Sequence, residues 1–284
     1  MRRHYLPGSC CGHPLAYDRR VIPVTTRPVG ERLRDWRRRR RLSQLDLALD
    51  AGVSARHLCF LETGRSRPSR DMVLRLAERL EVPLREQNEL LVAAGFAPMF
   101  PERGLDDPDL QAARQAIEQV LKGHEPLPAL AVDRHWTLVT ANAAVPPLLE
   151  GVASELLAPP VNELRLSLHP QGLAPRIANL AEWRTHLLER LRRQVDVTAD
   201  AILLELLREL RDYAPADSRD GRSKAVEYGV AVPFRLRVNG GELAFFSTTT
   251  VFGTPLDITL SELAIEAFFP ADEATARTLW QQAN

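Results

Sequence analysis

The sequence predicts a bundle of five short helices followed by a larger α+β domain built on an antiparallel sheet. Three observations predict it. Between residues 29 and 97, apolar residues recur at helical spacing in five segments, each with its own cap or stop. Between residues 105 and 284, an early and a late group of strand-like segments flank long amphipathic stretches. Charge divides at the same place: residues 1–99 hold 19 Arg or Lys against 11 Asp or Glu, and residues 100–284 hold 18 against 26. The balances of +8 and −8 cancel over the 284 residues, and opposed halves fit a part that faces nucleic acid joined to a part that avoids it. The cations are nearly all Arg, with Lys only at Lys122 and Lys224.

Composition narrows the class further. A hydrophobic content of 45% is that of a globular chain, and no run of about 18 apolar residues offers a membrane span. Met1 to Gly8 is basic with no apolar segment behind it, which argues against a secretory signal. Cys10, Cys11 and Cys59 make no disulfide framework, so a reducing cytoplasm is the expected location. Cys10-Cys11-Gly12-His13 lacks the paired spacing of a zinc site, and no metal is expected. Residues 1–28 read as a tail.

Val29, Leu33 and Trp36 fall at i, i+4 and i+7, opposed by Arg32, Arg34 and the run Arg37 to Arg41, which reads as a solvated helix end. Ser43 caps a second helix, with Asp46 completing a capping-box pattern, and Gly52 permits the turn that ends it. Ser54 caps a third helix that stops at Gly64. A fourth begins at Ser69 with Val73, Leu76, Ala77 and Leu80 on one face, and a fifth runs from Pro83 to Gly95. Residues 98–104, rich in Pro and Gly, read as a linker. Asp106 to Lys122 is expected to be a helix carrying Leu110, Ala113, Ile117 and Leu121. Ala129 to Val132 and Trp136 to Thr140 read as strands joined at Asp133-Arg134. Leu180 to Val195 and Ile202 to Leu210 read as amphipathic helices. Val232 to Val238 alternates in period two, turns at Asn239-Gly240-Gly241 and returns through Leu243 to Val251. A last strand, Ala264 to Phe269, precedes a terminal helix ending near Trp280.

The most specific segment runs Leu42-Ser43-Gln44-Leu45-Asp46-Leu47-Ala48, Ala51-Gly52-Val53-Ser54 and Leu61-Glu62-Thr63-Gly64-Arg65-Ser66-Arg67-Pro68-Ser69. It resembles the phage-repressor-like (Xre-type) helix-turn-helix family over about 70 residues, which implies a lambda-repressor-like, five-helix DNA-binding domain. Leu45, Ala48, Val53, Leu58 and Leu61 are expected to pack where the second and third helices cross. In that family the third helix enters the major groove. Ser54, Ala55, Arg56, His57 and Phe60 would then face the duplex. Arg56 is the candidate for a bidentate guanine contact, and Ala55 and Phe60 would touch thymine methyls. His57 reads equally well as a hydrogen bonder of the cap, and Phe60 as a half-buried packing residue. Gln44, at the start of the second helix, would meet a phosphate, and Arg65 and Arg67 would hold the flanking backbone.

The second half carries a further resemblance. Trp136-Thr137-Leu138-Val139-Thr140-Ala141-Asn142-Ala143-Ala144, Asn162-Glu163-Leu164-Arg165-Leu166-Ser167-Leu168-His169-Pro170, Thr249 to Asp257 and Ile265 to Asp272 are similar to the MmyB-like transcription-regulator ligand-binding domain, across roughly residues 105–280. That resemblance implies a PAS-like fold that binds a hydrophobic small molecule, with fatty acids the suggested ligand and no other cofactor. Within such a pocket Asn142, Asn162, His169 and Arg176 are candidates to orient a polar head, Arg176 being the anionic partner. Trp183 and Phe245 are candidates for the wall. Asn142 and Asn162 also read as caps of helices or turns, and the aromatic residues as plain core.

The function that follows is a DNA-binding transcriptional regulator, a homodimer on double-stranded operator DNA, controlled by a hydrophobic effector. The alternative is a regulator whose second domain serves only dimerisation or partner docking. Enzyme motifs such as H-E-x-x-H, G-x-G-x-x-G, G-x-S-x-G or a phosphate-binding Walker loop do not occur, so no catalysis is expected.

Overall fold

The computed structural model describes residues 27–213, 232–238, 241–253 and 255–282. The expected tail, with Cys10 and Cys11, and the expected turn at Asn239-Gly240 lie outside them. The chain forms two compact units, one reaching Glu102 and taking in Leu256–Ile258, the other made of the remainder from Arg103 onward.

The first unit consists of α1 (Val29–Arg39), α2 (Gln44–Asp50), α3 (Ala55–Glu62), α4 (Arg70–Arg79) and α5 (Leu84–Ala93). The start of each of the three middle helices is fixed by a serine. Ser43 Oγ accepts from the Asp46 amide at 3.1 Å while Asp46 Oδ2 accepts from the Ser43 amide at 2.9 Å, closing a capping box. Ser54 accepts from His57 and Ser69 from Met72 in the same way. Gly52 and Gly64, at φ +66° and +73°, make the left-handed turns after α2 and α3. Leu33, Trp36, Leu47, Leu58, Leu61, Leu76 and Leu80 form the core, each contributing about 1.5–3 kcal/mol for its burial.

Two expectations are corrected here. Leu45 is 58% exposed, and Leu47 with Ala48 supplies the inward face of α2 instead. The run Arg37 to Arg41 is not simply solvated. Arg37 is buried, and Arg40 donates to the carbonyls of Leu80 and Glu81 at the end of α4. Carbonyls at a helix end lack intrahelical partners, so a neighbouring guanidinium is drawn to them.

The second unit is an antiparallel sheet with helices on both faces. β1 (Ala129–Val132), β2 (Leu138–Ala141), β3 (Phe234–Val238), β4 (Gly241–Val251) and β5 (Ala264–Pro270) lie in the order β2-β1-β5-β4-β3. Ala131 opposes Ile265, and Leu236 opposes Leu243. The helices are α6 (Gln111–Gly123), α7 (Glu163–Leu168), α8 (Leu180–Thr198), α9 (Ala201–Asp212), the single turn α10 (Ile258–Ser261), whose first residue is counted with the first unit, and α11 (Glu273–Gln282). Leu130, Phe234, Leu236, Phe245 and Phe268 of the sheet meet Leu164, Trp183, Leu187, Leu191, Leu203 and Leu206 of α7 to α9 in one core.

Two boundaries differ from the sequence reading, each for a local reason. The helix expected from Asp106 begins at Gln111, because Asp107 caps a separate 3-10 turn at Pro108–Leu110. The strand expected from Trp136 begins at Leu138. Asp133 Oδ1 accepts from both the His135 and Thr137 amides at 2.8 Å, and Trp136 is left in the left-handed region at φ +66°, which no strand residue adopts.

Candidate functional site

The outward face of α3 carries an ordered cationic strip. Arg56 and Phe60 stand one turn apart on the same side of the helix. The Arg56 guanidinium lies 5.4 Å from the Phe60 ring centroid, and that of Arg65, beyond the helix end, lies 5.9 Å from it. The ring therefore holds two guanidinium groups side by side through cation–π attraction. Arg56, Arg65 and Arg67 are exposed, and Phe60 is half-buried. The remaining residues expected at this face lie at the start of α3. Ser54 is exposed, but its hydroxyl is the cap of α3; His57 supplies the amide that the cap receives; Ala55 packs against the core.

Beneath the strip, one carboxylate ties three helices together. Glu62, at the end of α3, receives Arg37 of α1 through both oxygens at 2.6 and 2.8 Å, and Gln44 of α2 at 2.8 Å. Arg37 also donates to the Leu42 carbonyl. The hydrogen bonds that Arg37 donates to Glu62, set against the cost of burial, hold Arg37 above its ordinary pKa. Gln44 is thus engaged in positioning α3, whereas the sequence suggested a phosphate contact. Gly30 completes the fit: a Cβ there would stand 2.2 Å from the Leu61 carbonyl oxygen, so only glycine lets α1 approach α3 this closely.

The second unit contains an apolar pocket of about 670 Å³, its mouth included. Leu130, Leu148, Trp183, Phe234, Phe245 and Phe268 line it, and Glu163 and Ser167 are the polar side chains on its wall. Of the six residues expected to hold a ligand, Trp183 and Phe245 are in the lining and four are not. Asn142 is buried, accepting from the Ala129 amide and donating to the Leu121 and Leu127 carbonyls. Asn162 caps α7 and donates to the His135 carbonyl. His169 accepts from the Gln171 amide and meets the Tyr213 ring edge-on. Arg176 donates to the Leu148 carbonyl.

The pocket's polar groups escaped the sequence reading. Ser167 accepts the Trp183 indole N–H at 2.9 Å. Glu163 Oε2 is buried and meets no hydrogen-bond donor. Burial first, and the adjoining Glu266 second, raise Glu163 well above the usual carboxylate range. Glu266 is 2% exposed and pairs with Arg190 at 2.5 Å, and Arg190 lies 4.4 Å over the Trp136 ring. One signal pointed this way. A lone carboxylate inside the apolar strand Ile265-Glu266-Ala267-Phe268 must be buried or face a partner.

A helix-turn-helix bundle with an exposed cationic third helix, followed by an α+β unit with an apolar pocket, defines a transcription regulator with a ligand-binding domain. Comparison with known proteins agrees. Residues 28–90 match a helix-turn-helix domain model. Residues 113–281, more than half of the chain, match the model of the MmyB-like transcription regulator ligand binding domain, and the chain belongs to that family. A Bacillus subtilis (strain 168) protein described as the uncharacterized HTH-type transcriptional regulator RghRB is 37% identical over 76 residues. That match takes in 26% of this chain and 52% of the relative, so the chain spans about half the length of the curated relative it matches. Among the described residues no helix is long and apolar enough to cross a membrane.

Proposed function

We propose that this protein is a one-component regulator, acting in the bacterial cytoplasm, that reads operator DNA with α3 and is controlled by a hydrophobic molecule held in the second unit. The observation that carries the DNA half is the Arg56–Phe60–Arg65 strip, exposed on a helix whose apolar side is already packed. Arg56 has the length and the planar fork for a guanine edge, a contact worth roughly 1–3 kcal/mol against a wrong base. Arg65 and Arg67, past the helix end, hold phosphates and set the register. Two copies would present α3 to successive major grooves roughly 34 Å apart.

The pocket favours effector control over a second unit that only dimerises, because packing faces do not need an interior void. An antiparallel five-stranded sheet with α7 to α9 inserted between β2 and β3 supports the PAS-like description. An acyl compound such as a fatty acid fits the walls. A ligand preferring one arrangement of two protomers shifts the population with the correct spacing of α3. The proposed roles of these residues are binding roles, with no chemical step.

The test is a salt titration of duplex binding by the full chain. Arg65→Ala is expected to weaken binding to all sequences and to flatten the dependence of log K on log salt by about 0.9, the loss of one phosphate contact. An unchanged affinity and slope in Arg65→Ala and Arg67→Ala would show that α3 and its flank do not meet DNA.

A further inference from the structure

The pocket holds one acid, Glu163, whose Oε2 meets no donor and whose carboxyl has only another acid, Glu266, as its hydrogen-bond partner. Glu163 opens α7 and Ser167 follows one turn later, so both side chains leave the same face of that helix and both line the pocket. The rest of the lining is apolar. Behind Glu163 stands Glu266 of β5, whose charge is already met by Arg190 of α8. Arg190 also donates to Thr249 at 2.8 Å and rests on Trp136, so that cation is committed, and it is not part of the pocket wall. Glu163 is therefore a second carboxyl beside one cation that another carboxylate occupies.

An ionised carboxylate buried without a donor is disfavoured far more than the neutral acid. The orphaned Oε2 marks the neutral acid as the form the site accommodates. The raised pKa of Glu163, from burial and from Glu266, points the same way. The protonated Glu163 carboxyl shares its hydrogen with Glu266 and leaves Oε2 free to accept, and the Ser167 hydroxyl, having accepted the Trp183 N–H, keeps its own hydrogen to donate.

We infer that the pocket selects a hydrophobic molecule with an uncharged hydrogen-bonding head, of the alcohol, ketone or carboxamide class, anchored by Glu163 and Ser167, and that it rejects an ionised carboxylate. This rests on the reading of the pocket as an effector site and narrows it. With Glu163 neutral, Glu266 and Arg190 cancel, so a neutral head enters without moving a proton. A carboxylate would face Glu266 with no cation to spare. Arg176 is turned to the Leu148 carbonyl, and His186, stacked on Trp183, is held toward its neutral form by burial, then by Arg190 and Arg193. A fatty acid would enter only as the neutral acid, taking up a proton. An amine would have to lose its hydration and ionise Glu163.

Four ten-carbon probes separate these cases on the full-length protein by isothermal titration calorimetry: 1-decanol, decanamide, decanoate and decylamine. At about pH 7.5 the alcohol and the amide are expected to bind at least roughly tenfold tighter than decanoate. Decanoate affinity should rise about tenfold for each unit the pH is lowered towards 6, with uptake of one proton. Glu163→Gln, neutral and still hydrogen-bonding, should keep decanamide affinity within roughly threefold, whereas Glu163→Leu should lower it at least roughly tenfold. Decanoate binding as tightly as decanol without proton uptake, decylamine binding tightest, or a Glu163→Leu protein that binds like the wild type would each overturn the head-group assignment while leaving the pocket an effector site. If folded protein binds none of the four, the effector reading itself falls, and the inference with it.

Discussion

Removing Glu62 is the sharpest structural perturbation available, because one side chain organises α1, α2 and α3 around the reading face. In Glu62→Ala the Arg37 guanidinium, whose side chain is 10% exposed, keeps only the Leu42 carbonyl, and Gln44 loses its acceptor. The Glu62 side chain is 1% exposed, so little water screens the pair in the native protein. Breaking a buried ion pair by deleting one partner costs about 3–5 kcal/mol. A bundle of this size has a total stability of about 5–15 kcal/mol, and each kcal/mol shifts its midpoint by roughly 4–8 °C. Glu62→Ala should therefore lower the first unit's unfolding midpoint by at least roughly 12 °C in differential scanning calorimetry. The transition belonging to that unit is recognised as the one duplex DNA raises. The apolar double variant Arg37→Met/Glu62→Leu should recover most of the loss, since well-packed apolar replacements of buried pairs are neutral or stabilising. A shift below about 4 °C in Glu62→Ala, roughly 1 kcal/mol, would mean the pair is solvated and the positioning argument for α3 is wrong.

Three further outcomes follow from individual contacts. Gly30→Ala should cost about 1–3 kcal/mol and weaken DNA binding in a filter or fluorescence assay, because the new Cβ forces α1 and α3 apart at the Leu61 carbonyl. Asn142→Leu should destabilise the second unit by at least roughly 2 kcal/mol in chemical denaturation, removing the acceptor of the buried Ala129 amide and the side-chain donor to the Leu127 carbonyl. Glu163 is raised above its ordinary value of 4.5, so between that value and its folded pKa the native state binds more protons than the unfolded chain. Wild-type stability should accordingly fall relative to Glu163→Gln as pH rises from 4.5 towards neutrality, and denaturation at a series of pH values reads the difference.

Much of the first unit was legible because its signals are local. Ser43, Ser54 and Ser69 each bond an amide three residues on, and Gly52 and Gly64 turn the chain where glycine alone is comfortable, so caps and stops are written within a few residues. Partners distant in sequence were not legible. Arg37 looked like its four arginine neighbours until Glu62 closed on it, and the choice between Leu45 and Leu47 as the inward residue of α2 depends on where α3 and α4 lie. In the second unit the alternation of Phe234 and Leu236 gave the strand and its inward face directly. The polar residues that looked available for a ligand, Asn142 and Asn162, are the ones the backbone recruits, since short amides satisfy caps and turns. Nothing within a few residues of Glu163 sets it apart from other acids of the chain. Its role emerges only where α7, α8 and β5 bring it beside Glu266, Arg190 and an apolar void.

Regulation by this protein requires above all that α3 read base edges through Arg56. Selection of bound duplexes from a randomised pool, run in parallel with wild type and Arg56→Ala, tests it directly. The wild type should enrich paired half-sites about 10–10.5 base pairs apart with a guanine preference that Arg56→Ala loses at one position per half-site. Identical motifs from the two proteins would contradict it.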